Sequence, residues 1–468
     1  MASLNVPPEM AALRPMLGTI VAGIEQRAPY GAVLLSTQDG LQISVDNREQ
    51  SVTQRVPASG TVITAYDGQT IFEKAIGGFD RAIIERGAHE LVQGITFARP
   101  GGVVVDPGAA RSGDFSVSNG GSVENLSVQD KLERLRALHQ RLQGRDSRIV
   151  NVRVGYSEMN DSTVFRNRSA DLAQNIQRQR LSVVVMAAGP DGVRYDYLSK
   201  STLKSWSELE YSDEELQSVV DNAIALLSAE RIEPGEYTII TGPGVSGTIC
   251  HESFGHGVET DMFLKERAKA AHFIDKVVAS PVVNIWDDPT QAVSGAVGLY
   301  FFDDEGMLAS PAQIVENGVF RRGITDLYSA TALGLARTAN GRRQDYSRKA
   351  YARMSNTYFG RGTTPVADLF AQVDDGIYLE KWSSGMEDPQ GWGIQVTCQF
   401  GQEIKHGKFT GRMFAPVGIS GYLPDVMQSI SGVSDVWSLD PGMCGKGHKE
   451  FVPVSSGGPH LLMKARLG

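Results

Sequence analysis

A chain of 468 residues, 41% hydrophobic and 21% charged, has an ordinary globular composition and exceeds what one hydrophobic core usually serves, so two domains are expected. Its formal net charge of −9 argues against nucleic acid or an anionic membrane as the main partner, since either favours a concentrated basic surface. No apolar run approaches the roughly 18 residues of a membrane span, the N-terminus lacks a signal pattern, and the 3 cysteines cannot all pair. A reducing, cytoplasmic setting is therefore expected, with a thiol free to ligate metal.

Apolar side chains at helical spacing from Ala11 to Gln26 predict an opening amphipathic helix. From Gly31 to Ile76 the pattern changes to short β-type runs (AVLLST, LQISVD, VTQRV, TVITAYDG, QTIFEKAI), with turns expected at Asp39-Gly40 and Asp67-Gly68. Arg81 to Gln93 reads as helix, and the Gly-, Ser- and Pro-rich stretch from Pro100 to Ser127 as a surface loop. A second round follows: the helix VQDKLERLRALHQRLQ, the strands RIVNVRVGYSE, STVFRNRS, IQRQRLSVVVMAAG and GVRYDYLSKS, then a helix capped by Ser212 with Glu215 three residues on. Residues 1–233 thus predict an N-terminal α+β domain of antiparallel meanders and long helices.

Beyond Glu233-Pro234-Gly235 the composition changes to β-type runs broken by glycine-rich turns: EYTIITGP, VVNIWDDP, GLYFFDDEG, AQIVENGVF, WGIQVTCQFGQEI and GKFTGRM. Helical character interrupts them at Ile249 to Arg267 and Pro365 to Val373. Residues 234–468 therefore predict a β-rich C-terminal domain carrying a functional helix, and the fold class is α+β.

That helix holds the sharpest chemical signal. In Cys250-His251-Glu252-Ser253-Phe254-Gly255-His256-Gly257 two histidines flank a glutamate, the logic of two imidazoles on zinc with a carboxylate poised over an activated water. The histidines are five apart rather than four, which on a regular helix turns them about 140° from one another. A locally widened helix, or one that ends at the motif, would bring them together, with Gly255 and Gly257 easing the distortion. Catalytic zinc generally takes a third protein ligand. Cys444 stands out, flanked by glycines and by Lys446, His448 and Lys449, which favour thiolate. On spacing alone Cys444 is only one option, and His448 is a reserve.

HESFGHGVETD, ARMSNTYF (Ala352 to Phe359), GIYLEKW (Gly376 to Trp382) and GMCGKG (Gly442 to Gly447) occur in the order seen in the TldD/PmbA family, which the chain resembles over about residues 240–455. With the HExxxH motif intact, it resembles the catalytic TldD type rather than the TldE (PmbA) type that lacks it. The resemblance implies one Zn2+ per catalytic chain, held by His251, His256 and Cys444, with Glu252 as general base. It also implies hydrolysis of short or unfolded peptides, bound extended along a sheet edge in a chamber between two subunits, as a homodimer or a heterodimer with a TldE/PmbA-like partner. Two other readings share these residues: a non-catalytic peptide-binding scaffold subunit, and a metal hydrolase acting on a modified peptide natural product.

Other residues bear on the same chemistry less directly. Glu259 and Asp261 are candidates to orient a ligand imidazole. Arg353, Asn356 and Tyr358 fit either a substrate cleft or a structural strand. Cys250 reads as core, Asp287-Asp288 and Asp303-Asp304-Glu305 as turns, His272 and His406 as bystanders, and Arg342, Arg343, Arg348 and Lys349 as a solvated loop.

Overall fold

The computed structural model describes residues 6–95, 105–117, 126–447 and 450–468; of the loop expected at 100–127, residues 105–117 and 126–127 are described, and there Arg111–Ser116 forms a strand rather than loop. Residues 30–202 form a 7-stranded sheet ordered β3-β2-β1-β5-β6-β4, with β7 also paired to β6. Its strands are β1 (Tyr30–Val45), β2 (Gln50–Tyr66), β3 (Ile71–Gly77), β4 (Arg111–Ser116), β5 (Ile149–Asn167), β6 (Ala170–Gly189) and β7 (Gly192–Thr202). Many of the short runs read from the sequence fuse into long strands. Asp39-Gly40 does not turn: the chain continues through it, and the register with β2 slips between Gln38 and Gly40. A side chain at residue 40 would come 2.3 Å from the Glu158 carbonyl, so glycine serves close strand packing there. Asp67-Gly68 is a genuine turn, with Gly68 at φ 103°.

Helices α1 (Pro8–Glu25), α2 (Arg81–Gln93), α3 (Val128–Leu142) and α4 (Asp213–Ala225) cover one face of this sheet. Leu17, Val21 and Ile24 of α1 pack on Val33, Leu35 and Ile63, while Leu135 and Leu142 of α3 and Val219 of α4 pack on Leu41, Ile43 and Val183. These strand residues alternate along β1, which is why one face is apolar throughout. Ser212 caps α4 as expected, its Oγ accepting from the Glu215 amide while Glu215 accepts from the Ser212 amide.

Residues 235–467 form an 11-stranded sheet from β8 (Gly235–Thr241), β9 (Ile285–Asp287), β10 (Ala312–Glu316), β11 (Val319–Phe320), β14 (Asn356–Phe359), β15 (Asp375–Asp388), β16 (Gly393–Lys405), β17 (Lys408–Phe414), β18 (Val417–Tyr422), β19 (Gly432–Lys446) and β20 (Glu450–Leu467); the short strands β12 (Gly341–Arg342) and β13 (Tyr351–Ala352) pair separately. Because β8 also pairs with β20, strands β20-β18-β16-β15-β8 close into a ring. The core gathers Leu379, Val396, Ile419, Leu461 and Met463 around helix α5 (Pro243–Phe254).

The second face of the first sheet meets the second half of the chain through apolar contacts, such as Leu34, Phe165 and Leu172 with Phe302 and Leu327, and through polar groups. The segment GLYFFDDEG joins neither sheet, contrary to the strand expected there. Side chains of the first sheet take its carbonyls instead: Gln174 Nε2 donates to Phe302 O at 3.0 Å, and Arg178 donates to Val297 O at 2.6 Å and Leu299 O at 2.9 Å. Asp303 and Glu305 face Arg337, and Arg343 reaches Glu73 at 2.8 Å. Arg342 and Arg343 are therefore buried, at 7% and 8% exposure, and only Arg348 and Lys349 behave as the solvated loop expected of all four. Their guanidiniums are spent on carbonyls and carboxylates at this junction.

Burial, opposed by Arg343, pushes the Asp304 carboxyl up from 3.8 to about 6. The folded chain thus binds this proton more tightly than the unfolded one. The stability it confers is complete below about pH 3.8 and is lost as pH rises through about 6. Asp304→Asn keeps an acceptor for the Arg343 amide and should raise Tm at pH 8, by the equivalent of about 1–2 kcal/mol, while leaving it unchanged at pH 3.5. Thermal melts at the two pH values check this.

Candidate metal centre

Helix α5 begins with Gly242 and Pro243, proline at the first helical position costing no hydrogen bond. Val245, Ile249, Cys250 and Phe254 are buried in the core, which confirms Cys250 as packing. Gly247 lets the helix lie against β20: a side chain there would meet the Gly457 amide nitrogen at 2.4 Å. The helix ends at Phe254, and His256 opens a 3-10 turn, His256–Val258. Of the two ways of bringing together histidines five apart, the chain uses helix termination rather than a widened turn.

Gly255 makes that termination possible, with φ −98° and ψ −82°. A Cβ there would lie 2.1 Å from Met354 Sδ and 2.3 Å from the His251 carbonyl oxygen. At Gly257 nothing lies within 4 Å, so only the first of the two glycines is sterically required. Gly255→Ala should lower stability by about 1–3 kcal/mol through overpacking and displace His256 from its partners. Thermal melts with a metal titration will show both effects, and unchanged metal affinity would reject the second.

Past this turn the imidazoles of His251 and His256 meet edge to face, centroids 5.0 Å apart. Cys444, buried on β19, places Sγ 3.2 Å from His256 Nε2. One donor atom from each of His251, His256 and Cys444 lies within 4.8 Å of the others. Donors on a tetrahedral zinc sit about 3.5 Å apart, so small side-chain adjustments would close the three around one ion. Two further observations fit a metal. His251 Nδ1 is buried without a hydrogen-bond partner. Although burial works to raise the Cys444 thiol, the charge of His256 and hydrogen bonding from His251 hold it well below its ordinary range. His448, the reserve ligand, lies outside the described residues.

Carboxylates and cations surround this triad. Glu259 Oε2 is 3.3 Å from His256 Nδ1 and 2.9 Å from Lys446 Nζ. Burial works to raise Glu259, but Lys446 and His256 hold it down at about 2. Lys446 also donates to Asp261 at 2.6 Å. Of the two weighed carboxylates, Glu259 orients the imidazole and Asp261 holds the lysine. Arg353, 1% exposed, donates to the Cys444 carbonyl at 2.7 Å and stands 3.8 Å from Glu259. It ties the cysteine strand to the histidine turn, and lines no cleft. Asn356 and Tyr358 belong to β14, away from the cavity. The weighed turns divide in the same way: Asp287 is a buried acceptor for Ser355, Thr357 and Asn340, whereas Asp288 and Asp303 close turns.

A cavity of about 760 Å³ opens over the triad, lined among others by Glu252, Trp382, Met386, Glu387 and Met443. Glycine at 385 makes room for Glu252: a Cβ would lie 2.6 Å from Glu252 Oε1 and push that side chain aside. Glu387, two residues further along β15, faces the same side. Burial, opposed by His256 and reinforced by the adjacent Glu252, pushes it up to about 8. Sequence reasoning missed Glu387, and no spacing distinguishes it from a surface strand acid. Two strand edges flank the cavity: β15 pairs with β8 only over Ile377–Leu379, and β19 pairs with β20 alone among the named strands.

A buried cysteine and two imidazoles beside a carboxylate, in a cavity bordered by open strand edges, fit the metal-dependent peptidase class. The chain belongs to the PmbA/TldD metallopeptidase family, and it is a peptidase. Residues 121–230 match the model of the PmbA/TldA metallopeptidase central domain, and residues 234–466 that of the C-terminal domain. A metalloprotease of Methanothermobacter thermautotrophicus is 30% identical over 319 residues, 68% of this chain and 69% of that one. A Synechocystis metalloprotease is 25% identical over 97% of this chain and 98% of its own length, and a TldD homolog of Haemophilus influenzae is 29% identical over 72% of each. In fold, the chain is similar to TldE from Thermococcus kodakarensis (TM-score 0.77, 16% identity, 96% of this chain and 99% of that one). It is equally similar to a Thermotoga maritima protein described as a putative modulator of DNA gyrase (TM-score 0.78, 17% identity, 98% and 100% covered). No helix among the described residues is long and apolar enough to cross a membrane.

Proposed function

We propose that the chain is a TldD-type zinc peptidase in which His251, His256 and Cys444 hold the metal and Glu252 is the general base. The observation that carries this reading is the convergence of the three donors within 4.8 Å in the cavity that Glu252 lines. Zinc, when bound, supplies Lewis acidity that brings the pKa of a water toward neutrality. Glu252 takes the proton from that water and returns it to the leaving amine. Glu259 holds the His256 ring through Nδ1, fixing which nitrogen faces the metal. A thiolate ligand donates more charge than a third imidazole, so slow turnover is expected.

The open edges of β15 and β19 bind peptide backbone in extended form, which favours short or unfolded substrates over folded proteins. Residues 1–233 serve as the peptide-binding and dimer-forming part and residues 234–468 as the catalytic part, a division supported by the gap between the matched regions at 230 and 234. A second subunit completes the chamber, either a copy of this chain or a TldE/PmbA-like partner; the similarity in fold to TldE supports the second arrangement.

The test is direct. Purified protein should carry one zinc per chain and cleave unfolded peptides. A strong chelator should abolish cleavage, and added zinc should restore it. Substoichiometric zinc with full cleavage would overturn the reading.

A further inference from the structure

A second cavity, of about 290 Å³, shares Gly442 and Met443 of β19 with the first. It lies where the second face of the first sheet meets β19. The register places Arg55 opposite Gly40, Gly40 opposite Met159 and Met159 opposite Arg178, with Arg180 two residues beyond. Residues paired across neighbouring strands share a face, so all three arginines project from the same side of the sheet.

Their circumstances differ. Arg178 is spent: it is buried, paired with Asp161 and donating to two carbonyls. Arg55 and Arg180 are exposed and line the cavity. Arg55 touches only Met159 Sδ at 3.4 Å, and Arg180 donates Nε to Ser199 Oγ at 2.8 Å; among the described residues neither forms an ion pair. The lining also includes Glu158, but its carboxylate is engaged by Lys131 Nζ and Tyr156 OH, each at 2.8 Å. Apolar walls come from Val297, Pro441 and Met443. In a chain of net charge −9, a pocket presenting two guanidiniums outside any ion pair is a local reversal of sign; Asp440, the acid that acts on Arg180, is itself pushed up by burial.

Position gives this pocket a meaning. Met443 adjoins Cys444, and at about 3.3 Å per strand residue Pro441 lies about 10 Å from it. A peptide extended along β19 with its reacting bond at the metal centre carries its next side chains over the second cavity. We propose that this cavity is a substrate subsite that takes a carboxylate, from an acidic side chain or from the peptide C-terminus, two or three residues from the bond that is cut. The proposal rests on the peptidase reading above. A guanidinium binds a carboxylate by charge-assisted hydrogen bonds, which either Arg55 or Arg180 can supply from the lining.

Binding tests it separately from catalysis. Fluorescently labelled alanine-rich peptides, each with one Glu or Gln at successive positions and ending as acid or amide, are titrated by anisotropy into zinc-loaded Glu252→Gln protein. Glu at one position, or the free acid terminus, should bind about tenfold tighter than its neutral counterpart. Which of the two shows the preference identifies the source of the carboxylate. The preference should shrink in high salt and vanish in Arg55→Gln/Arg180→Gln, whereas Arg55→Lys/Arg180→Lys should retain part of it. Equal binding of charged and neutral peptides at every position would overturn the subsite. If tightly bound peptides resist cleavage by the unaltered protein, the peptidase reading fails while the subsite stands.

Discussion

Glu252→Gln should leave zinc stoichiometry and thermal stability unchanged and lower peptide hydrolysis by about 10³-fold, the usual scale of a general base. The amide fits the same space. Glu252 is fixed near the end of α5, and its carboxyl packs against the backbone of β15, where Gly385 leaves no room for a side chain. Glutamine preserves that packing but cannot take up a proton from water. Parallel measurements of kcat and bound zinc separate the outcomes. Activity within tenfold of the unaltered protein would remove Glu252 as base, and loss of zinc would recast it as part of the metal site.

Local chemistry made much of this molecule readable from its residues. Ser212 and Glu215 form the expected capping box because that interaction is contained within four residues. The Arg81–Gln93 helix appears with the boundaries that its apolar spacing implies. Long-range partners were not readable. Asp39-Gly40 has turn chemistry, yet β5 runs alongside and keeps the chain extended. Arg342 and Arg343 look like solvated charge until Glu73, some 270 residues away, supplies a partner. Within the site the histidines and glutamate follow from one short motif. Gly255 shows how their awkward spacing is met, since only the folded chain brings Met354 against it. Arg353 stands in a motif segment, but its role depends on Cys444 and Glu259, which only the fold brings to it, and nothing in the segment around Glu387 marks that acid.

Cys444→Ala should abolish stoichiometric zinc binding and, with it, hydrolysis, while the chain still folds. Cys444 is 2% exposed, so the truncation leaves a small apolar gap costing about 1 kcal/mol rather than a buried unpaired charge. Removing the thiolate leaves two imidazoles, one ligand short of the set that catalytic zinc generally requires. Zinc should therefore raise the Tm of the unaltered protein, by about 4 kcal/mol equivalent at a thousandfold excess over Kd, and leave that of the variant unmoved. Cys250→Ala and Cys398→Ala provide the comparison. Both thiols are buried in the core, and burial raises both above the ordinary cysteine range, the reverse of Cys444. These two variants should lose some stability yet keep the zinc-dependent rise in Tm. That contrast distinguishes a ligand from a packing residue, because all three substitutions remove the same sulfur from the interior. Retention of one zinc per chain in Cys444→Ala would place the third ligand elsewhere in the cavity lining.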